Sequence, residues 1–253
     1  MYKNCLHCGS LIPKESNFCG QCGQGVTLGE WEKNRPHYSA IIAFYLTIIG
    51  FIGASSLMFS QADVSFMSTL LVEILFAAII VIYSLFNLDS ILPLYTKPDV
   101  PRRVWMFTLS FPIFSSFLVY YSMDSLNTWL DLESSNTYLD NIDLDYPMLW
   151  TVISITLLAP IFEELAFRGY LFNHLLKVTS WQITVVATAF LFSLIHFSMV
   201  SLLWIFPFGL VLGYMRYRYN SLWLVMLIHF IHNLIVVGLD YYYAQSYLNE
   251  GWY

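Results

Sequence analysis

The sequence predicts an all-α polytopic membrane protein, a bundle of about seven to eight transmembrane helices behind a small four-cysteine unit. Three observations lead there. Of the 253 residues, 58% are hydrophobic and 11% charged, where a soluble domain carries about 25% charged residues. Several apolar runs reach the roughly 20 residues that cross a bilayer as a helix. All four cysteines fall within the first 22 residues, apart from those runs. The formal net charge of −6 leaves no basic stripe to neutralise phosphates, which speaks against nucleic acid as a partner.

The front unit spans residues 1–25. Its cysteines stand as Cys5-Leu-His-Cys8 and Cys19-Gly-Gln-Cys22, with ten residues between the pairs. Each pair is followed by a glycine, Gly9 and Gly23, that lets the backbone turn and aim amides at the thiolates. Four thiolates close a tetrahedral shell around Zn²⁺, so the metal expected here is structural and the unit a zinc ribbon. Two disulfides are the alternative in a secreted domain, but no signal peptide precedes Cys5. His7 is read as a solvated loop residue. Thiolate ligands suit a reducing compartment, which puts the N-terminus in the cytosol. A polar linker over 26–38 follows.

The spans come next. Ser39 to Ser60, about Ser65 to Phe86, and Val104 to Ser122 read as the first three, and a fourth begins near Met148. Trp181 to Met215 is one apolar stretch of 35 residues, too long for one straight helix, with Ser198 to Ser201 and Pro207 as candidate breaks. A last span covers Leu222 to Leu239 and leads to a tail over 241–253. Lys33, Arg35, Lys97, Arg102, Arg103, Lys177, Arg216 and Arg218 fall on one side if the helices alternate. The opposite connections, Gln61 to Val64 and Met123 to Pro147, carry no Lys or Arg, and the longer holds Asp124, Asp131, Glu133, Asp140, Asp143 and Asp145. The positive-inside rule then puts the N-terminus in the cytosol and the acidic loop outside, in agreement with the ribbon.

Ionisable groups at membrane depth cost a few kcal/mol each and point to function by default. They gather between residues 147 and 240. Glu163 and Glu164 are adjacent, with Arg168 four residues beyond the second; on a helix Glu164 and Arg168 share a face while Glu163 points about 100° away. His196 ends Phe192-Ser-Leu-Ile-His196, and His229-Phe-Ile-His232-Asn233 lies in the last span. If Lys177 to Trp181 is the tip of a helical hairpin, Glu163 and His196 sit level, roughly 24 Å from it at 1.5 Å per residue. Glu73 and His174 lack evident partners, Glu73 facing the interior or a water cavity and His174 the cytosolic interface. His232 lies off the His229 to Asn233 face and is read as structural.

These residues resemble the three motifs of the CAAX protease and bacteriocin-processing (CPBP) family of intramembrane proteases, which includes the type II CAAX prenyl endopeptidases. Glu163 to Arg168 matches EExxxR, Phe192 to His196 matches FxxxH, and His229 to Asn233 matches HxxxN. The resemblance covers about Trp150 to Leu239. It implies hydrolysis of a peptide bond by an activated water, with Glu163 as general base, His196 holding and polarising the water, and His229 and Asn233 donating to the oxyanion. Glu164 and Arg168 would orient the site. The substrate implied is a membrane-embedded or lipid-anchored peptide or protein. The ribbon is similar to zinc ribbons at the N-termini of bacterial membrane proteins, and bacteria generally lack CAAX substrates, so a prenylated one is not expected.

The family is often labelled metalloprotease, and Glu163, His196 and His229 could supply three zinc ligands. No HExxH occurs and Asn233 is a poor zinc ligand, which favours a metal-free mechanism. Two other functions compete with proteolysis: a non-catalytic scaffold or bacteriocin-immunity-type protein whose ribbon recruits a protein partner, and a transporter using the buried Glu and His as a proton relay. No G-x-S-x-G elbow, phosphate-binding loop or cysteine nucleophile is present in the spans.

Overall fold

The computed structural model describes residues 2–5, 7–13, 16, 18–24, 30–61, 66–132, 136–196 and 199–249. The front unit holds a two-stranded antiparallel sheet, β1 (Tyr2–Asn4) and β2 (Leu11–Pro13), with Lys3 opposite Ile12. Everything described beyond it is helical or loop. The first helices are α1 (Glu30–Gln61), α2 (Phe66–Leu85), the single turn α3 (Leu88–Ile91) with a 3₁₀ turn at Leu92–Tyr95, and α4 (Arg102–Leu130). A continuous rod then runs Pro147–Val178. Within it α5 (Pro147–Thr151), α6 (Ala159–Glu164) and α7 (Phe172–Val178) alternate with two π-helical segments, Val152–Leu158 and Leu165–Leu171. The chain closes with α8 (Trp181–Leu194), α9 (Met199–Tyr219) and α10 (Leu222–Asn249).

Five of these rods, Lys33–Ser60, Met67–Leu85, Arg102–Leu130, Pro147–Val178 and Leu222–Ser246, are long and apolar enough to cross a membrane. The protein is therefore an all-α polytopic membrane protein, as composition required. The apolar stretch after Trp181 folds as the pair α8 and α9, which pack side by side; α8 is apolar but shorter than a full span, so five spans stand among the described residues against the seven to eight expected. Its break follows Leu194, where Ile195 and His196 form a turn. Ser198, one expected break, lies outside the described residues, as do Glu133 and the link over 62–65. Pro207 makes no break and sits inside α9, as proline can in a membrane helix whose neighbours satisfy the freed carbonyl. α1 begins upstream of Ser39 and carries Pro36 within it.

Local chemistry sets the corners. Ser180 caps α8, its hydroxyl accepting from the Ile183 amide at 3.4 Å. Asn220, at φ 47°, ends α9 in the left-handed conformation that asparagine tolerates, and α10 starts two residues later. Two apolar clusters hold the bundle. One joins Phe44, Ile48, Ile80, Phe167 and Leu171 across α1, α2 and the rod. The other joins Leu212, Leu222, Val225 and Ile228 across α9 and α10. Leu165 packs against both, one residue after the adjacent carboxylates.

Candidate active site

The π segments explain how α6 presents its carboxylates. In Val152–Leu158 the bonds run i to i+5, and the Ala159 amide donates to the Ser154 carbonyl. The next carbonyl, Ile155, would accept from residue 160, which is proline and has no N–H. Asn233 of α10 supplies the missing donor, its Nδ2 reaching the Ile155 carbonyl at 2.9 Å. The second segment repeats the pattern. Its last bond runs from the Phe172 amide to Phe167, and the following carbonyl, Arg168, accepts from Nε of Arg216 on α9 at 2.9 Å. Side chains of α9 and α10 thus pin both ends of the wide turns that flank α6.

Between those pins lies the charged centre. Glu164 and Arg168 are fully buried, with Nη1 donating to Oε1 at 2.9 Å. Nη2 of Arg168 donates to the Gly209 carbonyl at 3.3 Å, and its guanidinium lies 4.4 Å over the ring of Phe192. Gly209 makes that approach possible: a Cβ there would stand 3.1 Å from Cβ of Ala189 and 3.2 Å from Nη2 of Arg168. The same Oε1 of Glu164 also bonds Nδ1 of His229 at 2.9 Å. As a carboxylate oxygen it only accepts, so the shared hydrogen sits on Nδ1. Nε2 of His229 then faces Glu163, whose Oε2 lies 3.8 Å away. One imidazole is thereby held between both carboxylates. Oε2 of Glu164 is buried with no hydrogen-bond partner among the described residues.

His196 stands at the rim and its residue is exposed. Its Nδ1 donates to the Phe192 carbonyl at 2.9 Å, leaving Nε2 as an acceptor. The ring of Phe192 is 5.0 Å from that of His196 and 6.1 Å from that of His229, so it stands beside both imidazoles. No direct bond joins His196 to Glu163 among the described residues. Asn233 reaches the site's wall through Ile155 rather than the carboxylates. His232 turns away from the carboxylates, bonded to Ser115 of α4 at 2.9 Å with its ring 4.6 Å from Phe208. His174 differs from expectation: it is buried against α1, Nδ1 to Nδ1 with His37 at 3.0 Å. The linker is helical over its described residues, 30–38, and supplies that partner.

Glu73 belongs near this centre, which its sequence did not reveal. Tyr83 meets Tyr170 at 5.2 Å between rings, and Asn173 donates to the Ser90 carbonyl at 3.2 Å, so α2 runs parallel to the rod. Following the Tyr83 to Tyr170 register back brings Glu73 opposite residue 160, one turn from Glu163, and the two carboxylates are close enough to interact. The only advance signal was a lone acid in an apolar run. Gly209 and Phe192 were equally silent as partners of Arg168.

Among the described residues, the one group of three or more His, Cys, Asp or Glu side chains whose donor atoms converge is Cys5, Cys8, Cys19 and Cys22, all within 4.8 Å of one another. Glu163, His196 and His229 are not such a group, although Glu163 and His229 approach to 3.8 Å. The cysteines are free thiols, with Cys5 to Cys22 at 3.8 Å and Cys8 to Cys19 at 3.6 Å between sulfurs. A zinc–sulfur distance of about 2.3 Å puts tetrahedral sulfurs roughly 3.8 Å apart, so the quartet is compatible with a structural zinc site. The two knuckles mirror each other: Gly9 donates to Cys5 and Gly23 to Cys19, at 2.9 and 2.8 Å, with φ of +73° and +72°. Hydrogen bonding to Ser10, through its side chain and then its backbone, holds the Cys8 thiol down to about 6.

Fold and site together define a helical membrane protein with a buried carboxylate–imidazole–guanidinium centre. Residues 145–235 match the family model described as Type II CAAX prenyl endopeptidase Rce1-like. That segment contains Glu163, Glu164, Arg168, His196, His229 and Asn233, and it shows the family resemblance read from the three motifs. No curated protein and no solved structure matches the chain.

Proposed function

We propose that the protein is an intramembrane endopeptidase that hydrolyses a peptide bond of a membrane-associated peptide or protein with a water activated by Glu163 and His196. The observation that carries this reading is His229 held by Glu164 with its second nitrogen turned to Glu163, inside the segment that matches a CAAX endopeptidase family. In the reaction, Glu163 takes a proton from the water while Nε2 of His196 accepts the other hydrogen bond. The hydroxide attacks the scissile carbonyl. His229, doubly protonated against the Glu164 carboxylate, donates from Nε2 to the oxyanion, and the second N–H of the Asn233 amide assists. Glu163 then returns the proton to the leaving amine, so that water is consumed and two peptide termini form. Glu164 and Arg168 position His229 and keep the centre neutral where it is dry.

The remaining parts fit this role. The cationic connections put the N-terminus in the cytosol by the positive-inside rule, and the ribbon holds one Zn²⁺ there as a structural ion and a docking point for a protein partner. The test is comparative proteomics of membranes from wild-type and Glu163→Ala cells, followed by cleavage of the accumulated species by purified protein in liposomes. Accumulated precursors that only the wild-type protein cuts are expected. Identical peptide profiles in both cells would remove proteolysis as the function.

A further inference from the structure

An apolar groove of about 480 Å³ opens between the rod and α10. Leu157, Pro160 and Ile161 form one wall, Met226, Leu227 and Phe230 the other. These are outer faces of turns that carry the site: Pro160 lies one turn before Glu164, and Met226 and Phe230 bracket His229. The volume is within the roughly 300–1,000 Å³ of small-molecule pockets. The mouth is of different chemistry. Tyr95, Lys97, Trp105 and Trp223 surround it, and the Trp223 indole donates to the Tyr95 carbonyl at 2.7 Å, tying the turn before α4 to α10.

Lys97 is exposed at that mouth and makes no salt bridge among the described residues. Arg102 and Arg103 follow at the start of α4, also exposed, with Asp99 as the acid between them and Lys97. A hydrocarbon-lined groove under a net cationic, aromatic mouth is complementary to a lipid with an anionic head, since basic pockets between membrane helices attract such headgroups. We propose that the groove holds one acyl chain of an anionic phospholipid, with its phosphate at Lys97 and its chain against Leu157, Ile161 and Phe230. The bound chain fills the space between the rod and α10 behind the Glu164 to His229 bond, so the lipid braces the two elements that form the site. The proposal does not depend on proteolysis.

Native mass spectrometry of the full-length protein, exchanged into micelles holding equal phosphatidylglycerol and phosphatidylcholine, tests it without any cleavage assay. One phosphatidylglycerol is expected to survive activation that strips other lipids, retained at least fivefold over phosphatidylcholine. Ile161→Trp, which fills the groove, and Lys97→Glu, which reverses the mouth's charge, should each reduce that retention at least fivefold with the melting temperature held. No retained lipid, equal retention of both lipids, or retention that either variant leaves unchanged overturns the proposal. Displacement of the lipid by a farnesylated peptide also overturns it and gives the groove to substrate.

Discussion

Arg168 reaches two partners from a fully buried position, the Glu164 carboxylate and the Gly209 carbonyl, with the Phe192 ring beneath it. Removing one member of a buried ion pair leaves the other uncompensated at a cost of about 3–5 kcal/mol. Arg168→Met should therefore lower the melting temperature in detergent sharply. Glu163→Gln should behave oppositely, because Glu163 is 18% exposed and its nearest charged partner is 3.8 Å away: stability is kept while cleavage falls by about 10²–10⁴. A Glu163→Gln protein that melts like Arg168→Met would show that both acids are packing residues. At this scale the sequence was informative about pairing. Spacing of four put Glu164 with Arg168, and the structure has that bond. The bond from Glu164 to His229 spans 65 positions, and helical periodicity carries no information about such a contact.

The wide turns of the rod depend on donors from other elements. Asn233→Ala would leave the Ile155 carbonyl without its donor, at about 1–3 kcal/mol for an orphaned buried group, and would remove the proposed oxyanion donor as well. Asn233→Asp should do the same with little change of volume, since a carboxylate cannot donate to either group; both losses are expected, read as a lower melting temperature and reduced cleavage. The contact of α8 and α9 is equally specific. Gly209→Ala would push a methyl to 3.1 Å from Ala189 and 3.2 Å from Arg168, and overpacking of this kind costs about 1–3 kcal/mol. Circular dichroism melts should show the drop without loss of helix at 20 °C. Pro160 stands inside this rod, and a proline in the sequence gives no indication whether a helix kinks, breaks or widens. The outcome here rests on Asn233 and Arg216, which lie on helices distant in sequence.

Across the molecule, composition alone was sufficient for the membrane class, because so few charged residues in so apolar a chain leave it no soluble surface. Helix pairing was not legible in the same way: apolar side chains face lipid and neighbours alike, so periodicity does not say that α2 runs parallel to the rod or that Glu73 comes within reach of Glu163. The four-cysteine cluster was legible because its chemistry is local, four thiols and two glycines within one short segment. Ribbon and centre are expected to separate on metal removal. Cys8→Ser should lose zinc, counted as one per chain in the wild type by elemental mass spectrometry, while cleavage continues in a chelated sample. The most direct test of the central claim is cleavage of an accumulated membrane precursor by purified, chelator-treated protein in liposomes, compared with Glu163→Gln. Full cleavage by the first and a rate at least about 10²-fold lower in the second are expected; undiminished cleavage by Glu163→Gln, or cleavage that stops on chelation and returns with zinc in a ribbon-deleted chain that still folds, would overturn the proposed mechanism.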